Sequence, residues 1–263
     1  MQPFGDSYTD PSAHMSGGAM WPDYVAGTSG IAGHPFAVSG AVCSTALTPR
    51  DTLPVIEHQI PAFKDKMQEL NLDMSSAVFT LWIGTNDLGH GLLVDGGQAP
   101  GVTIVYVARC GATWVQALYE LGARNFISMN MVPLDHAPSY TKPNQNMELL
   151  RELVASGNEL REMTLQILAS TLPDAHIGLF DAHALFMDII NSPADYLNGT
   201  VPLDVTSTVV DCRSTGGCGN DSDRDSFLWN DDLHPSEQTN RVVAREMAAV
   251  ISGGSSQWMT WLS

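Results

Sequence analysis

Apolar runs rich in β-branched residues alternate along this chain with stretches of helical period. Short apolar runs at Phe36-Ala37-Val38, Ala77 to Ile83, Asn125 to Asn130 and His176 to Phe180 predict strands. Helices are predicted from about Ile56 to Glu69, Thr113 to Leu121, Met147 to Ser170 and Glu237 to Ile251. In the third helix Leu150, Leu153, Val154, Leu160, Met163 and Ile167 recur close to the spacing of one buried face. Leu172-Pro173-Asp174 then stops it. Strands alternating with helices point to an α/β fold with a parallel sheet. No internal repeat breaks the 263 residues, and one core can serve that length, so a single domain over residues 1–263 is expected. The stretch from about residue 194 to 225 is rich in Gly, Asp, Ser and Thr and reads as a surface insertion. Gly253-Gly254-Ser255-Ser256 then leads to Trp258 and Trp261, which the sequence leaves free to dock or to fray.

Composition narrows the choice of partners. Twelve Lys and Arg against 29 Asp and Glu give a net charge of −17, which repels phosphate backbones and anionic lipid. Nucleic-acid binding and stable membrane association are therefore not expected, and no apolar run approaches a membrane span. A monomer acting on neutral or cationic small molecules or oligosaccharides fits this surface. Cys43, Cys110, Cys212 and Cys218 allow three pairings, of which a local Cys212–Cys218 loop is one. Asn198-Gly199-Thr200 and Asn220-Asp221-Ser222 match the N-glycosylation pattern and flank that loop, which leans toward an oxidising, extracellular setting. The chain opens Met-Gln-Pro-Phe, without the charged and apolar runs of a signal peptide. Asp221-Ser222-Asp223-Arg224-Asp225 looks like the start of a calcium loop, but Ser226 replaces the required Gly and Asp232 the bidentate Glu. A solvated acidic loop is the reading, and no metal ligand is expected.

Three separated segments could supply the parts of an ester hydrolase: a nucleophile, a base, and donors for a developing oxyanion. In Phe4-Gly5-Asp6-Ser7-Tyr8-Thr9-Asp10, Gly permits a sharp turn that presents Ser7 at a sheet's carboxyl edge. A following helix would add amides that favour negative charge there. In Asp231-Asp232-Leu233-His234-Pro235, a carboxylate three residues before the His can reach Nδ1 across a tight turn and leave Nε2 for Ser7. Ser39-Gly40-Ala41 and Gly84-Thr85-Asn86-Asp87 each follow a predicted strand and could offer a backbone or side-chain amide.

Together these segments, ordered along nearly the whole chain, resemble the GDSL or SGNH hydrolase family. The resemblance implies a three-layer α/β/α fold with a flavodoxin-like parallel sheet. It also implies Ser7 as nucleophile, His234 as base, Asp231 as orienting acid, and an oxyanion hole from the Ser7 and Gly40 amides with Asn86. Within the family, Phe36 to Cys43, Trp82 to Gly89 and Trp229 to Pro235 are similar to secreted fungal acetylesterases of carbohydrate esterase family sixteen. That similarity implies removal of acetyl groups from hemicellulose-derived sugars, with no metal or organic cofactor. A lipase-type or lysophospholipase-type esterase, or an inactive binding protein of the same fold, are the alternatives. Family members carry a full apolar strand into the Gly-Asp-Ser turn, in the middle of the sheet. Here only Met1, Gln2, Pro3 and Phe4 precede it and Pro3 lacks a ladder donor, so a truncated first strand with exposed flanking surface is expected.

Other candidates read as structural. His183, after Phe180-Asp181-Ala182, is the main competitor as base. The remaining histidines show no metal-ligand spacing. Trp21, Trp82 and His90 could line an acyl or sugar pocket, although the two tryptophans suit the core. Met129 and Met131 also read as core.

Overall fold

The structure is a computed structural model and describes residues 1–31, 33–89, 93–143, 146–220 and 222–263. Its strands are β1 (Gln2–Gly5), β2 (Val78–Trp82), β3 (Asn125–Met129), β4 (His176–Phe180), β5 (Asp204–Thr208), β6 (Phe227–Trp229) and β7 (Met259–Trp261). The helices among the described residues are α1 (Trp21–Ser29), α2 (Ile60–Leu70), α3 (Thr85–Leu88), α4 (Ile104–Ala108), α5 (Cys110–Tyr119), α6 (Met147–Ala169), α7 (Ala182–Asn191), α8 (Val209–Ser214) and α9 (Glu237–Ile251). A five-stranded sheet runs in the order β1-β2-β3-β4-β7, and β5 pairs with β6 separately.

Strands β1 to β4 are parallel and in register, with Phe4 opposite Leu81, Phe79 opposite Phe126 and Phe126 opposite Ile177. Side chains alternate between faces along each strand. Phe4, Phe79, Leu81, Phe126, Ile177 and Leu179 pack on one side against Phe63 of α2, Trp114 of α5 and Leu165 of α6. Trp82, Ile127, Met129 and Phe180 pack on the other against Trp21 of α1, Phe186 of α7 and Met247 of α9. The result is three layers, helix on sheet on helix. Each fully buried large apolar side chain contributes roughly 1.5–3 kcal/mol of transfer free energy.

The first strand is short, four residues beside neighbours of five, yet Phe36 and Phe79 on either side of it are buried. Every residue of β1 is buried. On the side away from β2, the amides of His34, Phe36 and Val38 donate to the carbonyls of Met1, Pro3 and Gly5 at 3.1, 2.7 and 3.1 Å. In the opposite direction Pro3 has no N–H to give, and the Gly5 N–H donates instead to Gln59 Oε1 at 3.0 Å. Phe36-Ala37-Val38 is thus joined to β1 by its own amides but is not the expected strand, since Pro3 cannot complete a ladder with it.

Other elements depart from expectation for equally local reasons. The second helix begins as a π-helical turn over Val55–Gln59, and α2 proper starts at Ile60. The buried face of α6 is Leu150, Val154, Gly157, Arg161, Leu165 and Ala169, while Met163 and Ile167 are exposed. Arg161 decides that rotation, since its Nη1 and Nη2 donate to the carbonyls of Met129 and Ile83 at the strand ends. The C-terminal tryptophans dock: β7 adds an antiparallel edge to β4, and the Asp181 amide donates to the Trp258 carbonyl at 2.7 Å. Helix α7 follows from a cap that the sequence reading passed over, the Asp181 carboxylate accepting from the Ala184 amide.

Between residues 194 and 220 the chain forms β5 and α8, closed by the Cys212–Cys218 disulfide. Asp223 is buried rather than solvated, and its carboxylate accepts from the amides of Gly219 and Asn220 and from the Thr200 hydroxyl. Asp221 lies outside the described residues. Among the described residues no helix is long and apolar enough to cross a membrane.

Candidate active site

Gly5 ends β1 at φ +142°, where a Cβ would sit 2.2 Å from the Trp82 carbonyl oxygen. Only glycine turns the chain there. The Asp6 carbonyl then accepts from the amides of Thr9 and Asp10 at 3.0 and 2.9 Å, so the chain folds tightly around Ser7. Ser7 stands at the carboxyl edge of the sheet, 5% exposed. No α-helix starts directly behind it; a single 3-10 turn at Pro11–Ala13 follows, and α1 begins only at Trp21.

The histidine comes from the other end of the chain. After β6, the Asn230 amide donates to the His234 carbonyl at 2.8 Å and Trp229 bridges Pro235, which closes a tight turn. The Asp231 carboxylate sits inside it, accepting from the amides of Leu233 and His234 at 2.9 and 2.8 Å. His234 Nδ1 lies 2.9 Å from both Asp231 oxygens, and Nε2 lies 2.8 Å from Ser7 Oγ. Burial opposes the Asp231 charge, but the hydrogen bond and charge of His234, with the two amides, outweigh it and hold the carboxyl below its ordinary value. An ionised carboxylate only accepts, so the Nδ1 proton points at Asp231 and Nε2 accepts from the Ser7 hydroxyl.

Tyr8 locks the two turns together, a role the sequence does not signal. Its hydroxyl donates to the Leu233 carbonyl at 2.8 Å, and its ring meets the His234 ring edge-on at 5.8 Å.

Gly40 occupies a turn at φ +79°, closed by the Ala41 amide donating to the Val38 carbonyl at 3.0 Å. Asp10 holds that turn, accepting from the Ser39 amide and hydroxyl at 2.9 and 3.0 Å. Asn86 stands in α3, just past β2, where Gly84 at φ +127° makes the bend. Its Nδ2 donates to the Ala41 carbonyl at 3.0 Å, and Arg50 Nη1 donates to its Oδ1 at 3.1 Å. Asp87 accepts from the Cys43 amide and the Thr48 hydroxyl, and the Cys43–Cys110 disulfide ties the same loop to α5. A cleft of about 320 Å3 is lined by Ser7, Ser39, Gly40, Asn86 and His234, with Met15, Arg50 and Leu233. Arg50 and Met15 are cleft residues that no sequence motif marked.

Three ionisable groups lie buried behind this edge. Burial pushes Asp6 up to about 7 and Asp87 up to about 6, against the opposing hydrogen bonds of Tyr8 and Thr48 respectively. Burial brings Arg161 down to about 10. One oxygen of Asp6 has no partner among the described residues.

His183 is not brought to Ser7. It lines a separate cleft of about 230 Å3 with Asn130, Asn158, Glu159, Glu162 and Asp181, and burial lowers its pKa. Trp21 and Trp82 are buried, as are Met129 and Met131, and His90 lies outside the described residues. Among the described residues no group of three or more His, Cys, Asp or Glu is placed to hold a metal.

A mostly parallel three-layer α/β/α protein with a Ser–His–Asp array at the carboxyl edge of its sheet defines the SGNH class of hydrolase. The chain belongs to the GDSL-like lipase/acylhydrolase family, whose model matches residues 2–247, and is a carboxylic ester hydrolase. It is similar to an acetylesterase of Hypocrea jecorina, 29% identical over 98% of this chain and 90% of that protein. An acetylesterase of Thermothelomyces thermophilus is 27% identical over 95% of this chain and 87% of that protein. The fold is shared with the crystal structure of Axe2, an acetylxylan esterase from Geobacillus stearothermophilus, at TM-score 0.51 and 14% identity, covering 95% of this chain and 92% of that one.

Proposed function

We propose that this chain is an extracellular acetylesterase that removes acetyl groups from carbohydrate by two-step acyl transfer through Ser7. The observation that carries it is the hydrogen-bonded series Ser7 Oγ, His234 Nε2, His234 Nδ1 and Asp231, with distances of 2.8 and 2.9 Å, opening into one cleft with Gly40 and Asn86. His234 takes the Ser7 proton as Oγ attacks the ester carbonyl, and Asp231 stabilises the imidazolium that forms. The Ser7 and Gly40 amides and the free N–H of Asn86 donate to the oxyanion. His234 then protonates the departing alcohol, and water activated by the same imidazole releases the acyl group.

The acyl size and setting are argued from the surroundings. Among the described residues, Met15 and Leu233 are the only large apolar side chains lining the cleft, which suits acetyl better than a long lipid chain. The Hypocrea jecorina and Thermothelomyces thermophilus relatives, matched over 98% and 95% of this chain, are acetylesterases. The surface charge of −17 is compatible with a neutral polysaccharide and unfavourable for an anionic bilayer. Two disulfides and the Asn198 and Asn220 sequons support an oxidising compartment.

Labelling with a fluorophosphonate probe, beside a Ser7→Ala control and with folding of both checked by circular dichroism, tests the nucleophile. Label on the wild type alone is expected. A folded wild type without label would sink the reading and favour an inactive binding protein. Faster turnover of octanoyl than acetyl esters would move the substrate class to lipids.

A further inference from the structure

Arg50 is an exposed cation at the cleft of a strongly acidic protein, and it forms no ion pair among the described residues. Its Nη1 donates to Oδ1 of Asn86, whose side chain is 8% exposed. The other end of that amide donates to the Ala41 carbonyl. A primary amide can sit with its oxygen and nitrogen exchanged, and only its partners decide between the two. Arg50 has donors but no acceptor, and the Ala41 carbonyl has only lone pairs. The pair therefore permits one orientation, with one Nδ2–H on Ala41 and the second left for the cleft. Arg50 Nη2 also borders Gly40, since a Cβ built there would lie 3.9 Å from it.

We propose that Arg50 is the positioning residue of the oxyanion hole, fixing the Asn86 amide with its nitrogen toward the reacting carbonyl and strengthening that N–H as a donor. The inference rests on the reading of Asn86 as an oxyanion donor. A cationic donor on Oδ1 draws electron density through the amide and makes the N–H more acidic. The gain is largest when the carbonyl oxygen becomes an oxyanion, so it belongs to kcat rather than KM. Arg50 acts through Asn86 and need not touch the substrate.

The experiment is a double-mutant cycle on an aryl acetate: wild type, Arg50→Ala, Arg50→Lys, Asn86→Ala and the Arg50→Ala/Asn86→Ala double variant. Arg50→Ala is expected to lose about tenfold in kcat with KM within about twofold, less than the roughly hundredfold lost on removing an oxyanion donor outright. Arg50→Lys should recover part of kcat. In the Asn86→Ala background the same Arg50→Ala change is expected to cost nothing further. Asn86→Ser replaces Asn86→Ala if the latter does not fold. Losses that multiply in the double variant, a change confined to KM, or an unchanged kcat in Arg50→Ala would overturn the role of Arg50. In those cases a labelled and active wild type leaves the Ser7 reading standing. A folded wild type that neither labels nor turns over overturns both.

Discussion

The carboxylate of Asp10 accepts from both the amide and the hydroxyl of Ser39, 29 residues along the chain. Asp10 belongs to the turn that carries Ser7, and Ser39 precedes Gly40, so one buried side chain sets the spacing between the proposed nucleophile and the proposed oxyanion loop. Its other oxygen accepts from Ser12, which leaves the carboxylate no freedom to turn. Asp10→Ala is expected to cost about 1–3 kcal/mol of stability through unsatisfied partners. It should lower kcat by about tenfold or more, because small displacements of catalytic groups are expensive. Urea unfolding and steady-state kinetics on the same sample check both, and an unchanged kcat would count against the coupling.

Gly5→Ala would place a methyl group 2.2 Å from the Trp82 carbonyl oxygen, at a backbone angle of +142° that other residues rarely adopt. Neither atom is the end of a flexible side chain. A loss above about 3 kcal/mol is expected, seen as insoluble protein or a thermal midpoint lowered by many degrees.

Arg161 donates to two strand-end carbonyls and supplies charge to Asp87 and Asp6 from the interior. Arg161→Met keeps much of the volume but strands those carbonyls and removes the cation that favours the Asp87 carboxylate. A loss of about 3–5 kcal/mol is expected in denaturant unfolding.

Asp6 and Asp87, pushed up to about 7 and about 6, hold protons in the native state that the unfolded chain releases near pH 4. Between roughly pH 4 and pH 7 the native protein therefore binds more protons, and stability falls as pH rises, by up to about 1.4 kcal/mol per pH unit for each group. Asp231 is held below its ordinary value, so its contribution has the opposite sign and is lost only at lower pH. Unfolding free energy should be higher at pH 5 than at pH 7.5, and Asp6→Asn should shrink the difference. A wild type that gains stability over that interval would contradict the buried, protonated Asp6.

The histidine turn was legible because its geometry is local: His234 lies three positions after Asp231, and the amides of Leu233 and His234 bend the carboxylate back. The strands β2 to β4 were legible from apolar runs that lie wholly between two helix layers. What stayed hidden depends on distant partners. The face of α6 follows Arg161, which hydropathy places outside and two strand-end carbonyls draw in. Phe36-Ala37-Val38 has a strand's composition, but beside it Pro3 has no N–H and that of Gly5 is taken by Gln59. Tyr8, Asp10 and Arg50 each carry out their parts on a residue that only the folded chain brings near.

Ser7 and His234 stand 227 residues apart, and the two ends of the chain meet again where the Asn240 side chain accepts from the Trp21 amide. Such contacts close the longest loops available to this polypeptide, which are slow to form and entropically costly. A refolding chain can assemble β2 to β4 and bury Trp114 while Ser7 is still apart from His234. Recovery of hydrolysis after dilution from denaturant is therefore expected to trail the recovery of tryptophan burial, and enzymatic turnover becomes a reporter of the moment at which the chain's two ends have joined.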